Sequence, residues 1–196
     1  MARAGLTVPR IVTAAADLAD EIGFDNVTMS ALAKQFGVKD ASLYSHVAGM
    51  TDLRARVAEA ATAEKSELIV SAVVGRAGRD ALTAYAHAWR DYALRHPGRY
   101  AATQHVVPGA TGTPSAFRAV ELMHGMLREY RLAEPALTDA VRLLRSTFHG
   151  YVDLEASGAF QHSRDPGASW DRIIDTLHRA LEHWAAPTPP TDTKEP

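Results

Sequence analysis

The chain has 196 residues, no cysteine and a formal net charge of −2. Disulfides and thiolate metal sites are therefore excluded, and no global charge draws the chain toward nucleic acid or an anionic membrane. The opening MARAGLTVPR lacks the apolar stretch of a secretory signal, and no apolar run reaches the ~18 residues of a membrane span.

Apolar residues recur at helical spacing along the whole chain, without convincing strand alternation, which predicts an all-α fold of about nine helices. Thr7 serves as N-cap of a first helix with Pro9 in its first turn, Ile11, Ala15, Leu18 and Ile22 facing inward and Gly23 at its end. A second starts at Thr28, carries Met29, Leu32, Ala33 and Phe36, and stops at Gly37. The third covers about Lys39 to His46, and the fourth runs from near Thr51 past Leu68. Gly75 and Gly78 mark a boundary. Leu82, Tyr85, Ala86, Trp89 and Ala93 form the stripe of a fifth helix, broken by His96-Pro97-Gly98. A short helix around Tyr100 follows, then a loop over 107–115. Thr113 and Pro114 open the next helix, expected to bury Phe117, Val120, Met123 and Leu127. Pro135 opens a long helix with Leu137, Val141, Leu144, Phe148 and Tyr151 on one face. A last helix runs from Trp170 to about Trp184, and the proline-rich tail 187–196 is expected to be disordered.

The second and third helices are too short to be stable alone, so they must pack on a third. Gly37 permits a sharp turn, and Ala33 lets the two backbones approach. Leu43 and Val47 point into the shared core, which leaves Lys39, Ser42, Tyr44, Ser45 and His46 on other faces. This pattern fits a helix-turn-helix whose exposed second helix enters the major groove, and equally a plain helical hairpin. The first fifty residues hold four basic residues (Arg3, Arg10, Lys34, Lys39) against five acidic ones, so electrostatic affinity for phosphates is modest. Backbone N–H groups at the starts of the second, third and fourth helices can still meet phosphates without formal charge.

The stretch from Leu6 to Leu53 resembles the DNA-binding domain of tetracycline-repressor-like (TetR family) regulators. The resemblance lies in IGFDNVTM between the first two helices, LAKQFGV into the turn and ASLYSHV on the recognition helix. A second similarity covers HPGRYAAT at 96–103 and Phe148-His149-Gly150. It resembles the subgroup whose C-terminal domain carries Trp-His-Gly, with Phe in place of Trp. The family implies a bacterial, cytoplasmic and nucleoid-associated homodimer. Residues 1–50 would form the reader and 51–186 a ligand-binding and dimerisation domain. Such a protein is a repressor that binds a palindromic double-stranded DNA operator, is released by a small apolar effector, and needs no cofactor or membrane. By position, Thr28 should reach a phosphate, Lys39, Ala41, Ser42 and Tyr44 should face the groove or its walls, and His46 should meet the backbone. Many relatives place a lysine at the start of the fourth helix. This chain has Met50 there, so part of the usual phosphate grip must come from elsewhere.

The C-terminal half holds most of the aromatics. Trp89, Tyr92, His105, Met123 and Met126, with Leu127, Arg145, Phe148 and His149, come from helices that should enclose a cavity. The adaptable methionines suit an apolar or aromatic ligand, and His105, Arg145 or His149 could supply a polar anchor. Gly150, inside a helix, suggests close packing or room for a ligand. Trp170, Ile174, Leu177, Leu181 and Trp184 form a stripe wide enough to serve both core and dimer seam. Beside the stripe of the preceding helix, Ala140, Thr147 and Val152 are left for a partner. The competing reading is a metal-dependent enzyme. Glu121 and His124 form Glu-x-x-His, half of a carboxylate-bridged di-iron set, but the motif occurs once and no nucleophile or phosphate-loop motif accompanies it.

Overall fold

The computed structural model describes residues 5–105 and 112–184. Nine α-helices follow one another among the described residues, with no strand: α1 Val8–Ile22, α2 Met29–Phe36, α3 Asp40–Leu43, α4 Met50–Val73, α5 Gly78–Arg95, α6 Pro97–Thr103, α7 Pro114–Leu127, α8 Ala136–Ala156 and α9 Pro166–Glu182. The tail 187–196 and part of the loop expected at 107–115 lie outside the described residues.

Local chemistry sets the boundaries. Thr7, Thr28 and Thr113 cap α1, α2 and α7, each hydroxyl accepting a hydrogen bond from the N–H three residues on. Asp165 caps α9 in the same way. Gly37 ends α2 in the left-handed region, with φ 65°. There the Gly37 N–H donates to the Lys34 carbonyl and the Val38 N–H to that of Ala33, a Schellman closure that satisfies the last turn.

Two apolar cores form. Ile11, Ala15, Phe24, Leu32, Leu43 and Val47 make the first, completed by Leu53, Val57 and Ala61 of α4. Leu82, Tyr85, Trp89, Leu144, Phe148 and Trp170 make the second, with Ile69 from the far half of α4. The helix α4 thus belongs to both cores. Its low overall amphipathicity follows, because successive halves bury different faces.

Several expected faces are rotated. Ile22 is exposed, and α1 instead buries Val12, Ala16 and Ala19. On α7, Phe117 is 63% and Val120 46% exposed, because this turn is anchored to α4 through Ser115 and the Glu59 carboxylate. Burial alone would raise the Glu59 carboxyl, but hydrogen bonds from Thr113 and Ser115 hold it below its ordinary pKa. On α8 the buried residues are Ala136, Ala140, Leu144, Phe148 and Val152. Small Ala136 and Ala140 turn this edge into the core, so Ala140 and Val152 are not available to a partner as expected. An added Cβ at Gly150 would meet nothing within 4 Å, which removes close packing as its reason.

The stripe on α9 is also consumed internally. Trp170, Ile174, Leu177 and Leu181 are at most 7% exposed within the single chain. They pack on α5 and α8, leaving Trp184 as the partly buried end. Within the single chain these four side chains serve the core.

Candidate functional site

The N-terminal unit, the candidate reader, is built from α1 to α3 and the start of α4. The α3 helix is only four residues long, with Tyr44 to His46 continuing as turns, so the expected helix to His46 is shorter. Leu43 and Val47 are buried and lock this segment to the core. The opposite side carries the predicted contact residues. Lys39 and Ala41 are exposed, Ser42 and His46 half-buried, and Tyr44 is 56% exposed despite its size. Thr28 stands at the start of α2, and its capping role uses the hydroxyl as acceptor, leaving its hydrogen free to donate. Among the described residues neither Lys34 nor Lys39 has an ion-pair partner.

At the start of α4 the expected N–H site for a phosphate is modified. The Ala48 N–H donates to Asp52 at 2.9 Å, and Asp52 also accepts from Arg56 at 2.9 Å. The Arg56 and Ala48 bonds hold the Asp52 carboxyl below its usual pKa. A carboxylate therefore already sits on this helix end.

A cavity of about 170 Å³ opens between α4, α5, α7 and α8, with Thr103 and Gln104 at the end of α6 also in its lining. Of the nine residues expected at a ligand site, Trp89, Met123 and Arg145 line it. Phe148 does not reach it, and instead packs behind Tyr85, Trp89 and Trp170 with ring centroids 5.3–6.2 Å apart. Leu127 is core. Tyr92 donates from its hydroxyl to the Ala61 carbonyl at 3.1 Å. Met126 belongs to a separate groove shared with Glu121. His149 lines a groove between α6 and α8 and bonds the Tyr100 hydroxyl at 2.9 Å. His105 packs edge-on against Phe24 of the reader.

Three features escaped the sequence reading. Lys65, on α4, lines the cavity at 5% exposure, its Nζ 3.9 Å from the centre of the Trp89 ring. Burial, and then the Arg145 charge, push its pKa down to about 7. Its position, one residue from the acidic Glu64, gave it the look of an ordinary surface helix charge. Tyr100 links the cavity wall to α6, because Trp89 Nε1 donates to the Tyr100 hydroxyl at 3.1 Å.

The third is the dock of α6 on α1. A Cβ at Gly98 would lie 2.0 Å from the Ala19 carbonyl group, so only glycine permits this approach. Beside it the Arg99 N–H donates to Asp20 at 2.8 Å, and the Arg99 guanidinium pairs with Asp17, Asp20 and Glu64. Burial works against that guanidinium charge, but the hydrogen bonds to Asp17 and Asp20 win and raise its pKa. The HPGRY segment thus joins the C-terminal bundle to the reader.

Glu121 and His124 are exposed on α7, and the described residues contain no group of three or more His, Cys, Asp or Glu able to hold a metal. No helix among them is long and apolar enough to cross a membrane.

Residues 11–57 match the family of bacterial regulatory proteins, tetR family, and residues 82–177 match the tetracyclin repressor-like C-terminal domain. The chain is 35% identical over 164 residues to the uncharacterized HTH-type transcriptional regulator YobS of Bacillus subtilis (strain 168), covering 83% of this chain and 86% of that one. It shares its fold with TetR-Q116A of Acinetobacter baumannii AYE in complex with minocycline (TM-score 0.71, 23% identity, 92% of this chain and 99% of that one). The fold also matches BioQ with its double-stranded DNA operator (TM-score 0.63, 21% identity, 91% and 99%). The two matched segments follow one another along the chain in the order of the N-terminal and C-terminal domains, and the chain belongs to the tetR family of helix-turn-helix transcriptional regulators.

Proposed function

We propose that the protein is a ligand-responsive repressor in the bacterial cytoplasm. It binds a palindromic operator as a homodimer through residues 1–50 and is released when an effector enters the cavity of its C-terminal domain, residues 51–186. The observation that carries this reading is the exposure of Tyr44, Lys39 and Ala41 on a segment whose other face is sealed by Leu43 and Val47. A large aromatic left in water beside an unpaired lysine is costly for packing and useful for a groove wall. Thr28, Ser42 and His46 complete the contact set from positions around it. Relatives of known structure include one bound to operator DNA and one bound to minocycline, which supports both halves of the proposal.

Coupling follows two physical routes. The α4 helix carries Leu53 and Val57 in one core and Ile69 in the other, so a tilt caused in the cavity moves the reader. The second route runs from Trp89 through Tyr100 to α6, and from Arg99 to Asp20 of α1. Differential affinity of the effector for the two arrangements sets the coupling, typically about 1–3 kcal/mol.

Membership of the subgroup with a Trp-His-Gly-type C-terminal segment is part of the same proposal. It is supported by Phe148 in the aromatic core and His149 bonded to Tyr100. The test is to select random double-stranded DNA on the purified protein and sequence what is retained. Enrichment of a palindrome with half-sites about one helical turn apart is the expected result, and retention without sequence preference would reject the reading.

A further inference from the structure

We infer that the cavity between α4, α5, α7 and α8 is built for an organic anion, a small amphipathic acid whose carboxylate or equivalent group sits between Lys65 and Arg145. This inference rests on the reading of that cavity as the effector site. It replaces a purely apolar effector with an acidic one.

Lys65 is 5% exposed, lines the cavity, and has no hydrogen bond or ion pair among the described residues. Its one favourable neighbour is the Trp89 ring, 3.9 Å away, with Tyr100 farther off at 5.5 Å. A buried ammonium resting on aromatic faces alone keeps much of its desolvation cost. Arg145 lines the same cavity from α8, also without an acidic partner among the described residues. None of the residues that line the cavity carries a carboxylate. Of the acids near it on α4, Glu59 is engaged by Ser115 and Glu64 by Arg99, and Glu67 is exposed and does not line the cavity. Two cations thus line one small space, Lys65 buried and Arg145 exposed, with no carboxylate in the lining. Burial and the Arg145 charge press the Lys65 pKa down, and a bound anion would reverse both effects.

The remaining walls decide the rest of the ligand. Tyr85, Trp89, Val120, Met123 and Val141 are apolar or aromatic, which suits a hydrocarbon body and not a bare inorganic ion. The volume, about 170 Å³, is close to the ~150 Å³ of an engineered apolar cavity that accepts benzene. A single-ring aromatic acid or a short-chain fatty acid fits, with Gln104 able to add a further amide donor.

Calorimetry on the purified full-length protein without DNA tests this with benzoate, phenylacetate and hexanoate, each against its uncharged primary amide, and with inorganic phosphate. At least one acid should bind at least about tenfold more tightly than its amide, as a charge-assisted bond requires. Lys65→Met should bring acid and amide to similar affinity while leaving the amide unchanged. Arg145→Gln, at an exposed position, should reduce the preference in a protein whose fold is not in question. Equal affinity for acid and amide would overturn the inference, as would undiminished preference in both variants or phosphate binding more tightly than every organic acid. Failure of all three acids to bind at about 10 mM would also overturn it. The measurement contains no operator, so its failure is distinct from failure of the DNA selection. An acid that binds through Lys65 yet leaves operator affinity unchanged sustains the anion site and rejects the effector reading beneath it.

Discussion

Gly98→Ala examines the close dock of α6 on α1. Gly98 has an ordinary helical φ, so alanine would by itself be favourable there by about 0.5–1 kcal/mol. The obstacle is space. The new Cβ would lie 2.0 Å from the Ala19 carbon and oxygen and 2.5 Å from the Asp20 nitrogen, all backbone atoms that cannot swing aside. Helix α6 must retreat by more than an ångström to reach van der Waals contact. That overpacking costs about 1–3 kcal/mol. The retreat also stretches the 2.8 Å bond from the Arg99 N–H to Asp20 and loosens the guanidinium pair beside it. A charge-assisted bond of this kind contributes about 1.5–3 kcal/mol. The expected net loss is about 2–4 kcal/mol, or about 5–15 °C in Tm for a chain of this size. Urea unfolding followed by circular dichroism measures it, with Gly150→Ala as control. Gly150 is also helical, but its added Cβ would meet nothing within 4 Å, so that variant should gain about 0.5–1 kcal/mol. If Gly98→Ala proves as stable as the parent, or both alanines act alike, the close dock of α6 on α1 is wrong.

Tyr44→Ala should weaken binding to all DNA sequences alike, whereas Lys39 or Ser42 substitutions should also change sequence preference. Gel shifts at several salt concentrations check this, and parent-like binding by Tyr44→Ala would displace the proposed reading surface. Lys65 releases its proton near pH 7 in the folded chain but keeps it to about 10.5 when unfolded. The unfolded state therefore binds more protons across that window, and stability from Lys65 rises with pH from about 7 upward. Lys65→Met should melt higher than the parent at pH 7 and close that gap as pH rises toward 10; parallel profiles would contradict the buried charge. Leu177→Arg should unfold or aggregate and should not yield a folded monomer, because Leu177 is 7% exposed within its own subunit and the charge would be buried unpaired. Size-exclusion chromatography with light scattering distinguishes these, and a well-folded monomer would instead place the α9 stripe in the dimer seam.

Much of the architecture was legible in the sequence because it is set by local chemistry. Thr7, Thr28 and Thr113 as caps, Gly37 in the left-handed region, and helical spacing of Ile11, Leu32, Leu43 and Val47 are short-range properties, and each is found where it was expected. The family resemblance in the reader rests on the same short, ordered pattern. Which edge of a helix finds a neighbour is a different kind of fact. Phe117 and Val120 have the right spacing for a core, but no helix among the described residues covers that turn of α7. Ala140 and Val152 were set aside for a partner, and are buried because the small alanines of α8 admit a close approach. The α9 stripe could be counted from the sequence, but that α5 lies across it is a tertiary fact. Lys65 shows the same division most sharply. One lysine among the charges of a long helix carries no local mark of burial. Only the convergence of α4, α5, α7 and α8 strips its water and sets it against Trp89 with Arg145 nearby, because desolvation depends on every element that closes around a group.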